Sequence, residues 1–404
     1  MTAELPMRTA TADDWPAISG LMGTVFLSGS DNEREEVDRA VFEPERSLVV
    51  TDGDAIVGHA GAFTRELTVP GALLPAAHVT LVGVAPTHRR RRLLTRMMHR
   101  QLADVTEPIA VLWASEGRIY PRFGYGHATQ RVSFSLDNRE VRLPEGTGTG
   151  RLRTGDPAQL RSELRRVYES VRPTRPGWSG RNEQWWDFVL ADPPGGRHGA
   201  TALRAVLHEG PDGVDGYALW RAKGEWAAGG PNGEVKAEEI VAANPRAHLD
   251  LWRFLLSIDL TRTVSMWFSG LDDPLLYAAN EPRRLGTALT DGLFVRIVDL
   301  PAALGARRYA APVEVVLEVT DALLTRNAGR WKLAADGEKA SCTPTDEPAD
   351  LACDVAALGA AYLGGPRLAA LAGADRVREL RPGSLAAAST AFGWHSAPAG
   401  IEIF

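Results

Sequence analysis

The sequence of 404 residues predicts an α+β (mixed α/β) fold built from three domains, with boundaries near residues 150 and 295. Three observations support this prediction. Residues 1–150 combine helices with consecutive strands, residues 151–295 repeat that order, and residues 296–404 end in helices rich in alanine, leucine and glycine. Hydrophobic residues make up 44% and charged residues 24% of the chain, so apolar side chains suffice for three cores.

Composition argues against several classes of function. The formal net charge of -6 disfavours a general nucleic-acid binder, because non-specific affinity for phosphates requires a broad positive field. Cys342 and Cys353 match neither a disulfide framework nor a Cys/His zinc spacing, so we expect a cytoplasmic protein without a metal. The sequence shows neither a secretion signal nor a run of about 18 apolar residues, and we therefore expect no membrane partner.

The first domain opens with two helices and continues with strands. Residues 11–14 (Thr-Ala-Asp-Asp) form a capping signal ahead of apolar residues spaced by three and four, which predicts a helix from Trp15 to Val25. A second, mostly polar helix is predicted at residues 31–41. The strands that follow are joined by short turns and are expected to be consecutive and antiparallel. They are predicted at 47–50, 55–63, 66–69 and 78–84, with later strands at 108–114 and up to 134, before a linker at 144–150.

The second region repeats this order and the third does not. In the second region, Asn244-Pro245-Arg246-Ala247-His248 precedes a helix, as Ala85-Pro86-Thr87-His88 does in the first. This parallel indicates either a diverged internal duplication or a chance match of short strings. The remaining elements are predicted as a helix at 157–171, strands near Ala202 and Tyr217 and at 234–242, a helix at 249–257, a strand at 313–319, a strand pair around Trp331 and Cys342, and helices from Asp354 onward.

Four consecutive arginines, Arg89 to Arg92, separate the buried strand 78–84 from an amphipathic helix. This order places backbone N–H groups and guanidinium groups around one point at a helix N-terminus, which is an anion site. A solvated charged face or a nucleic-acid patch has the same composition, so the arginine run alone leaves these alternatives open. His88 precedes the run and is interpreted as a helix-capping or loop residue.

Two longer motifs carry a family resemblance. Residues 82–94 (Val-Gly-Val-Ala-Pro-Thr-His-Arg-Arg-Arg-Arg-Leu-Leu) resemble the coenzyme A motif of the GNAT N-acetyltransferases, and more closely that of the enhanced intracellular survival (Eis) acetyltransferases of actinobacteria. Residues 113–126 (Trp-Ala-Ser-Glu-Gly-Arg-Ile-Tyr-Pro-Arg-Phe-Gly-Tyr-Gly), residues 342–346 and the terminal Phe404 match the same family, so the similarity spans the chain. The resemblance implies a catalytic GNAT domain, a degenerate GNAT-like domain without a coenzyme A loop, and a sterol-carrier-like domain.

The resemblance also implies an activity. It is that of an acetyl-CoA-dependent N-acetyltransferase acting on aminoglycoside-like, polyamine or lysine acceptors, hence a link to antibiotic resistance, with a homo-hexameric assembly and without a nucleic-acid partner. In this interpretation the strand amides contact the pantetheine arm and the loop binds the pyrophosphate. The residues assigned to acetyl-CoA are Val82, Gly83, Val84, Arg89, Arg90, Arg91, Arg92, Leu93, Leu94, Thr95, Ser115 and Glu116.

The chain departs from the family motif at two positions. Arg92 occupies the place of the first motif glycine, and Leu94 that of the second small residue. A helical φ at residue 92 would tolerate a side chain, whereas glycine permits a closer approach of the backbone to the pyrophosphate. Arg92 either adds a charge partner for a phosphate, which we favour, or crowds the site.

The resemblance assigns the general acid to Tyr120 and the proton acceptor to the terminal α-carboxylate of Phe404. A phenol with a pKa of about 10 can protonate a thiolate with little mismatch, whereas an α-carboxyl with a pKa of about 3.5 is a weak base unless it is desolvated or a water relays the proton. Without the family, Tyr120 is typical of a half-buried core residue and the tail of a frayed end. Ile401 and Ile403 nevertheless give the tail apolar anchors, and Tyr125 is interpreted as structural.

Carboxylates near the site favour an amine acceptor, although most are equally typical of exposed helices. Phe26-Leu27-Ser28 stands where the family often has an acidic residue, so the aminoglycoside pocket cannot be transferred residue by residue. The sterol-carrier resemblance supplies an alternative, a lipid-binding protein with a vestigial acetyltransferase domain, but helices rich in alanine and leucine are more often simple core. The candidate carboxylates are Asp31, Glu33, Glu35, Glu36, Asp38, Glu116 and Glu402.

Overall fold

The computed structural model describes residues 4–28, 32–145 and 150–404. Asp31 and residues 146–149 of the predicted linker lie outside this range. The strands are β1 (Met7–Thr9), β2 (Leu48–Asp52), β3 (Ala55–Val69), β4 (Ala72–Val84), β5 (Ile109–Trp113), β6 (Gly126–His127), β7 (Gln130–Asp137), β8 (Arg151–Gly155), β9 (Arg204–Gly210), β10 (Gly213–Lys223), β11 (Trp226–Ala227), β12 (Gly230–Pro231), β13 (Gly233–Ala242), β14 (Thr261–Ser269), β15 (Ala288–Asp291), β16 (Leu293–Ile297), β17 (Val313–Thr320), β18 (Gly329–Ala335), β19 (Ala340–Pro344), β20 (Leu351–Asp354) and β21 (Val377–Glu379). The helices are α1 (Trp15–Phe26), α2 (Asn32–Ala40), α3 (Leu93–Asp104), α4 (Arg161–Val171), α5 (Glu183–Leu190), α6 (Pro245–Leu256), α7 (Leu275–Ala278), α8 (Leu300–Ala306), α9 (Val355–Ala361), α10 (Leu368–Gly373) and α11 (Ser384–Phe392).

The strands form three large sheets and one short hairpin, β11–β12. The first sheet has the order β1-β2-β3-β4-β5-β16-β6, the second β15-β7-β14-β13-β10-β9-β8, and the third β19-β18-β17-β20-β21. As the sequence predicts, β2, β3 and β4 are antiparallel neighbours. β4 and β5 are parallel and are connected through α3, since a parallel pair requires a crossover.

The second sheet repeats the central arrangement of the first. β13 and β14 are parallel and are connected through α6, just as β4 and β5 are connected through α3. α6 begins at Pro245, within the segment that the sequence sets beside residues 85–88. The shared strand–helix–strand arrangement therefore favours the duplication over a chance match.

The two large sheets exchange strands across the predicted boundaries. β7 precedes residue 150 but lies in the second sheet, between β14 and β15. β16 lies in the first sheet, where it pairs with β5 over its whole length. The sequence pattern misses this exchange because strand pairing depends on contacts between residues far apart in the chain. Boundaries near 150 and 295 therefore divide the chain by sequence order and not by sheet membership.

The opening helix forms as its cap predicts. The Asp14 carboxylate accepts hydrogen bonds from the Thr11 backbone N–H (2.7 Å) and hydroxyl (3.1 Å), in a short 3₁₀ turn that leads into α1. The apolar spacing then buries one face of α1 against the first sheet, through Trp15, Ile18, Leu21 and Met22.

The small residues of the third domain serve close packing. α9 lies against β16 and β6, and a Cβ added at Gly359 would come within 2.4 Å of the Val295 carbonyl oxygen. A Cβ at Gly126 would come within 2.0 Å of the Ala356 carbonyl oxygen. The third domain and the first sheet consequently share one apolar core, which accounts for the alanine- and glycine-rich composition of this helix.

Two kinds of feature are absent from the described residues. In residues 4–28, 32–145 and 150–404, no helix combines the length and apolarity needed to cross a membrane. The same residues contain no cluster of three or more His, Cys, Asp and Glu side chains arranged to hold a metal ion.

Candidate active site

A cleft opens between β4 and β5. The two strands pair only from Ala76–Ile109 to His78–Val111, and beyond these residues they diverge. Residues 79–82 on one side and 113–115 on the other line a cavity of about 570 Å³. The fold therefore creates an elongated site at the centre of the first sheet, where a strand edge is left unpaired.

A bulge in β4 lies beside this cleft. β3 advances two residues from His59 to Gly61 while β4 advances three from Gly83 to Thr80, so β4 carries one extra residue. Leu81 within the bulge has a left-handed φ of 50°. The buried His59 holds this backbone through a 2.7 Å hydrogen bond between its Nδ1 and the Leu81 carbonyl oxygen. Bulges of this kind re-aim backbone groups and often adjoin functional sites.

The arginine loop leads into the N-terminus of α3. Arg89 to Arg92 are all exposed, and among the described residues they form no ion pair. No described side chain caps α3, so the amides of Leu93, Leu94 and Thr95 lack a side-chain acceptor. Uncapped amides beside exposed guanidinium groups are the arrangement that suits an anion. Leu93 itself is buried, so only its amide is available for this purpose.

The backbone conformation at Arg92 differs from the helical one considered in the sequence analysis. Its φ of 60° is left-handed and not helical, and Arg90 has a φ of 64°. A residue with a Cβ is disfavoured in this conformation by about 1 to 2 kcal/mol, whereas glycine adopts it freely. The glycine of the family motif therefore suits the left-handed backbone at position 92. Arginine adopts the same backbone conformation with a loss of conformational stability.

The equivalent helix of the second domain has no such free end. Asn244 caps α6, and its side chain accepts a hydrogen bond from the Ala247 backbone N–H (2.9 Å). This cap uses a donor that an anion would need. The arginine run is also absent from this segment of the sequence, as expected for a domain without a coenzyme A loop.

Tyr120 lines the cavity from the other side. It begins a 3₁₀ turn that continues to Phe123, and its side chain is 7% exposed. Burial raises the pKa of its phenol to about 12. Tyr125 lies 5.9 Å away between ring centroids but is fully buried, and its hydroxyl finds no hydrogen-bonding partner among the described residues. The two tyrosines are neighbours, but only Tyr120 lines the cavity.

The C-terminus enters the same cavity. The main-chain oxygen of Phe404 accepts a 2.9 Å hydrogen bond from the Thr80 hydroxyl. The Phe404 ring packs edge-on against His78, with 4.6 Å between centroids. Burial, followed by the nearby Arg65, lowers the pKa of His78 to about 3, so the imidazole is a neutral support. The tail is docked and not frayed.

The predicted site residues divide into two groups. Val82, Ser115, Tyr120 and Phe404 line the cavity together. Within the part of the chain that the structure describes, a second group lies outside that lining: Gly83, Val84, Arg89, Arg90, Arg91, Arg92, Leu93, Leu94, Thr95 and Glu116.

Two members of this second group have local roles. Gly83 permits the approach of α1, because a Cβ at this position would lie 2.8 Å from the Met22 methyl carbon. Glu116 is exposed and pairs with Arg118 at 3.0 Å.

The candidate acceptor carboxylates also divide. Asp38 lines the cavity and forms a 2.8 Å ion pair with Arg34. Glu402 is largely shielded from solvent and forms ion pairs with Arg65 and Arg181. Burial raises the pKa of its carboxyl, but the two arginines outweigh burial and lower this pKa to about 2. A carboxylate with this pKa and these partners serves as a structural anion and not as a base.

Three residues around the terminus were not predicted: His78, Thr80 and Trp113. His78 and Thr80 are polar residues inside a strand predicted to be buried. Buried polar groups require hydrogen-bonding partners, so their position in that strand was the available signal. Trp113 lines the cavity and packs edge-on against Phe268 of β14, a contact between two domains that no local pattern indicates.

Comparison with known proteins supports the class that the fold and the cleft define. Two family models, each described as an acetyltransferase (GNAT) domain, match the chain. One matches residues 6–128 and the other matches residues 177–297. The model for the sterol carrier protein domain matches residues 300–399. The chain is therefore a GNAT N-acetyltransferase, and the predicted fold class is confirmed.

Full-length relatives narrow the family. An uncharacterized N-acetyltransferase of Streptomyces avermitilis is 44% identical over 399 residues, which cover 97% of this chain and 98% of the relative. The N-acetyltransferase Eis of Mycobacterium tuberculosis is 37% identical over 385 residues, 91% of this chain and 92% of its own. The crystal structure of Eis1 from Mycobacterium abscessus superposes with a TM-score of 0.84 at 31% identity, covering 99% and 100% of the two chains. The chain belongs to the Eis family of N-acetyltransferases.

Proposed function

We propose that this N-acetyltransferase uses acetyl-CoA and transfers the acetyl group to a primary amine of an aminoglycoside-like, polyamine or lysine acceptor. The observation that carries the proposal is the convergence of Tyr120 and the Phe404 carboxylate in one cavity. An acid and a proton acceptor within one cleft are the two groups that amide formation from a thioester requires.

The residues present fit acetyl-CoA. The amides at the α3 N-terminus and the guanidinium groups of Arg89 to Arg92, which have no ion-pair partner among the described residues, suit a pyrophosphate. The diverging strands leave edge amides of β4 free to bind an amide-containing arm. Bound there, acetyl-CoA would supply the activated acetyl group, and the cavity beside Val82 would receive it.

The residues of the chain then handle two protons. As the acceptor nitrogen bonds to the acetyl carbon and the carbon–sulfur bond breaks, the nitrogen loses a proton and the sulfur gains one. The Phe404 carboxylate, oriented by Thr80, accepts the first proton directly or through a water. Tyr120 donates the second to the departing thiolate. Partial burial of Phe404 favours the first transfer, because desolvation raises the basicity of a carboxylate.

Calorimetric titration with acetyl-CoA tests the cofactor assignment. We expect saturable binding by the wild type, with losses of about tenfold to a hundredfold for Arg89→Ala and Arg90→Ala, since each removes a charge-assisted contact. Arg100→Ala is the matched control, because Arg100 is an exposed arginine within α3, outside the arginine loop, and pairs with Asp104. Undetectable binding by the wild type would overturn the proposal, and tight, salt-dependent binding of DNA would favour a nucleic-acid patch.

An acceptor screen tests the substrate class. Aminoglycosides, polyamines and lysine peptides are compared by release of free coenzyme A, and turnover with at least one class is expected.

Sedimentation of the purified chain tests the homo-hexamer, which remains a prediction. A protein that binds lipid and shows no acetyl transfer would support the carrier alternative, although the close packing of α9 on β16 favours a role as core.

A further inference from the structure

The chain after α11 crosses from the second domain to the first. The Ala397 backbone N–H donates to the Asp272 carboxylate (3.0 Å), and the Ala399 N–H donates to the Pro176 carbonyl (3.0 Å). These tail residues border a narrow cavity of about 70 Å³ beside Ile240 of β13 and Met266 of β14. β13 and β14 stop pairing after Ala237 and Met266, so the tail lies at the second domain's counterpart of the β4–β5 cleft.

The crossing itself is tightly packed. A Cβ on Gly400 would come within 2.5 Å of a Trp113 ring carbon, so the tail can approach the first cleft only because residue 400 is glycine. Ile401, the next residue, is buried in the core of the second domain with Val241. Consecutive residues of the tail thus contact both domains, Gly400 against Trp113 of the first and Ile401 within the core of the second.

Glu402 completes this path through a buried ion network. Its carboxylate binds Arg65 of β3 and accepts bonds from Arg181, with 2.8 Å from Nε and 2.6 Å from Nη2. Arg181 also binds Glu239 of β13 at 3.1 and 2.5 Å, and Tyr217 donates to the same carboxylate. The two arginines belong to different parts of the fold, so one tail carboxylate joins them.

The buried ion network contains equal numbers of positive and negative side chains. The side chains of Arg65 and Arg181 are 1% and 0% exposed, and two positive groups face two carboxylates. Each arginine also lies over an aromatic ring, Arg65 over Trp185 at 3.8 Å and Arg181 over Tyr168 at 4.0 Å. A buried charge that loses its partner is strongly unfavourable, so the position of Glu402 is sharply determined.

We propose that Arg65, Arg181 and Glu402 are positioning residues that hold the terminal carboxylate of Phe404 in the first cleft, with the second domain's cleft acting as the dock for the tail. The proposal rests on the proposed function for its catalytic consequence. Glu402 is two residues from the terminus, so a shift of its carboxylate moves the Phe404 carboxylate relative to Thr80 and Tyr120.

The first test measures tail position without catalysis. Carboxypeptidase A is added to the folded protein, and release of free phenylalanine from residue 404 is followed. Glu402→Gln keeps the shape of the side chain but removes its charge, and we expect release to accelerate by about tenfold or more. Glu239→Gln is the matched control, because it removes one carboxylate from the same network while leaving both arginines on the tail. It should accelerate release much less.

The second test measures acetyl transfer by the same proteins. Glu402→Gln should lower kcat by about tenfold or more with KM for acetyl-CoA changed by less than roughly twofold, since only the tail has moved. Equal release of phenylalanine from Glu402→Gln and wild type would overturn the proposal, and so would wild-type kcat in a variant whose tail is released. Absence of transfer by the wild type, with tail release as expected, would instead refute the proposed function and leave the anchoring intact.

Discussion

Replacement of Tyr120 by phenylalanine separates packing from proton transfer. The change keeps the ring in its buried position beside Tyr125 and removes only the hydroxyl. General acid catalysis contributes about 10² to 10⁴ in rate, equivalent to about 3 to 5 kcal/mol in the activation free energy. We therefore expect kcat to fall by that factor, while the affinity for acetyl-CoA measured by calorimetry stays close to that of the wild type.

Burial supports this role despite the high pKa of the phenol. Tyr120 has a pKa of about 12, which at first is poorly matched to a thiol near 8.5. The buried thiol of Cys353 shows what the same protein interior does to sulfur, since burial raises its pKa to about 12 as well. Desolvation in the cleft shifts the pKa of a departing thiol in the same upward direction, which reduces the mismatch with Tyr120. The phenol stays protonated below pH 10, so no alkaline limb of kcat in that range should arise from it.

Tyr125→Phe is the control for this experiment. Its hydroxyl is buried, and within the described residues it has no hydrogen-bonding partner, so its loss should leave kcat unchanged and stability equal or higher. Initial rates at saturating acceptor, with coenzyme A release as readout, compare the two variants. Equal losses at both positions, or full activity in Tyr120→Phe, would show that Tyr120 is a structural aromatic.

Three further predictions address the terminus, the loop and acid stability. A short extension after Phe404 should abolish most acetyl transfer while acetyl-CoA binding survives, and deletion of Phe404 should also impair it, since the new end falls ~3.5 Å short; an extended protein with wild-type kcat would contradict the role of the carboxylate. Arg92→Gly should raise stability in urea by about 1 kcal/mol by relieving the left-handed backbone, yet weaken acetyl-CoA about tenfold, and tighter binding would mean that the arginine crowds the site. Burial lowers the pKa of His59 to about 4, so the folded state resists a proton that the unfolded chain accepts below pH 6.5. The contribution of His59 to stability should fall by about 3 kcal/mol as the pH drops from 6.5 towards 4, and His78, whose pKa burial lowers to about 3, should add a loss of similar size. A urea midpoint independent of pH in that range would refute this.

Features encoded by neighbouring residues could be predicted from the sequence. The cap before Trp15, the strand–arginine loop–helix order and the apolar tail all depend on spacings within a few residues. The turn at Arg92 shows the limit, because the preference of glycine for a left-handed φ was recognised but the conformation of the arginine in its place was not. Local composition does not reveal which backbone geometry the surrounding fold imposes.

Features encoded by distant residues could not be predicted. β7 and β16 change sheets because their partners lie more than a hundred residues away in β14 and β5, and each strand has a pattern that fits either sheet. Glu402 was identified as a candidate carboxylate near the acceptor. Its two arginine partners lie 337 and 221 residues earlier, so only the folded chain reveals that it is an anchor.

The interleaving of domains has a mechanistic consequence. The cleft belongs to the first sheet, which is completed by β16 from beyond residue 290, and Phe404, which lines the cleft, follows the third domain. The tail reaches that point past the second domain, whose own cleft lacks the arginine loop and has a capped helix. The divergent strands of that second cleft are bordered by a segment of the same chain. Under the proposed anchoring, the second domain contributes to acetyl transfer by determining where the Phe404 carboxylate lies in the first cleft.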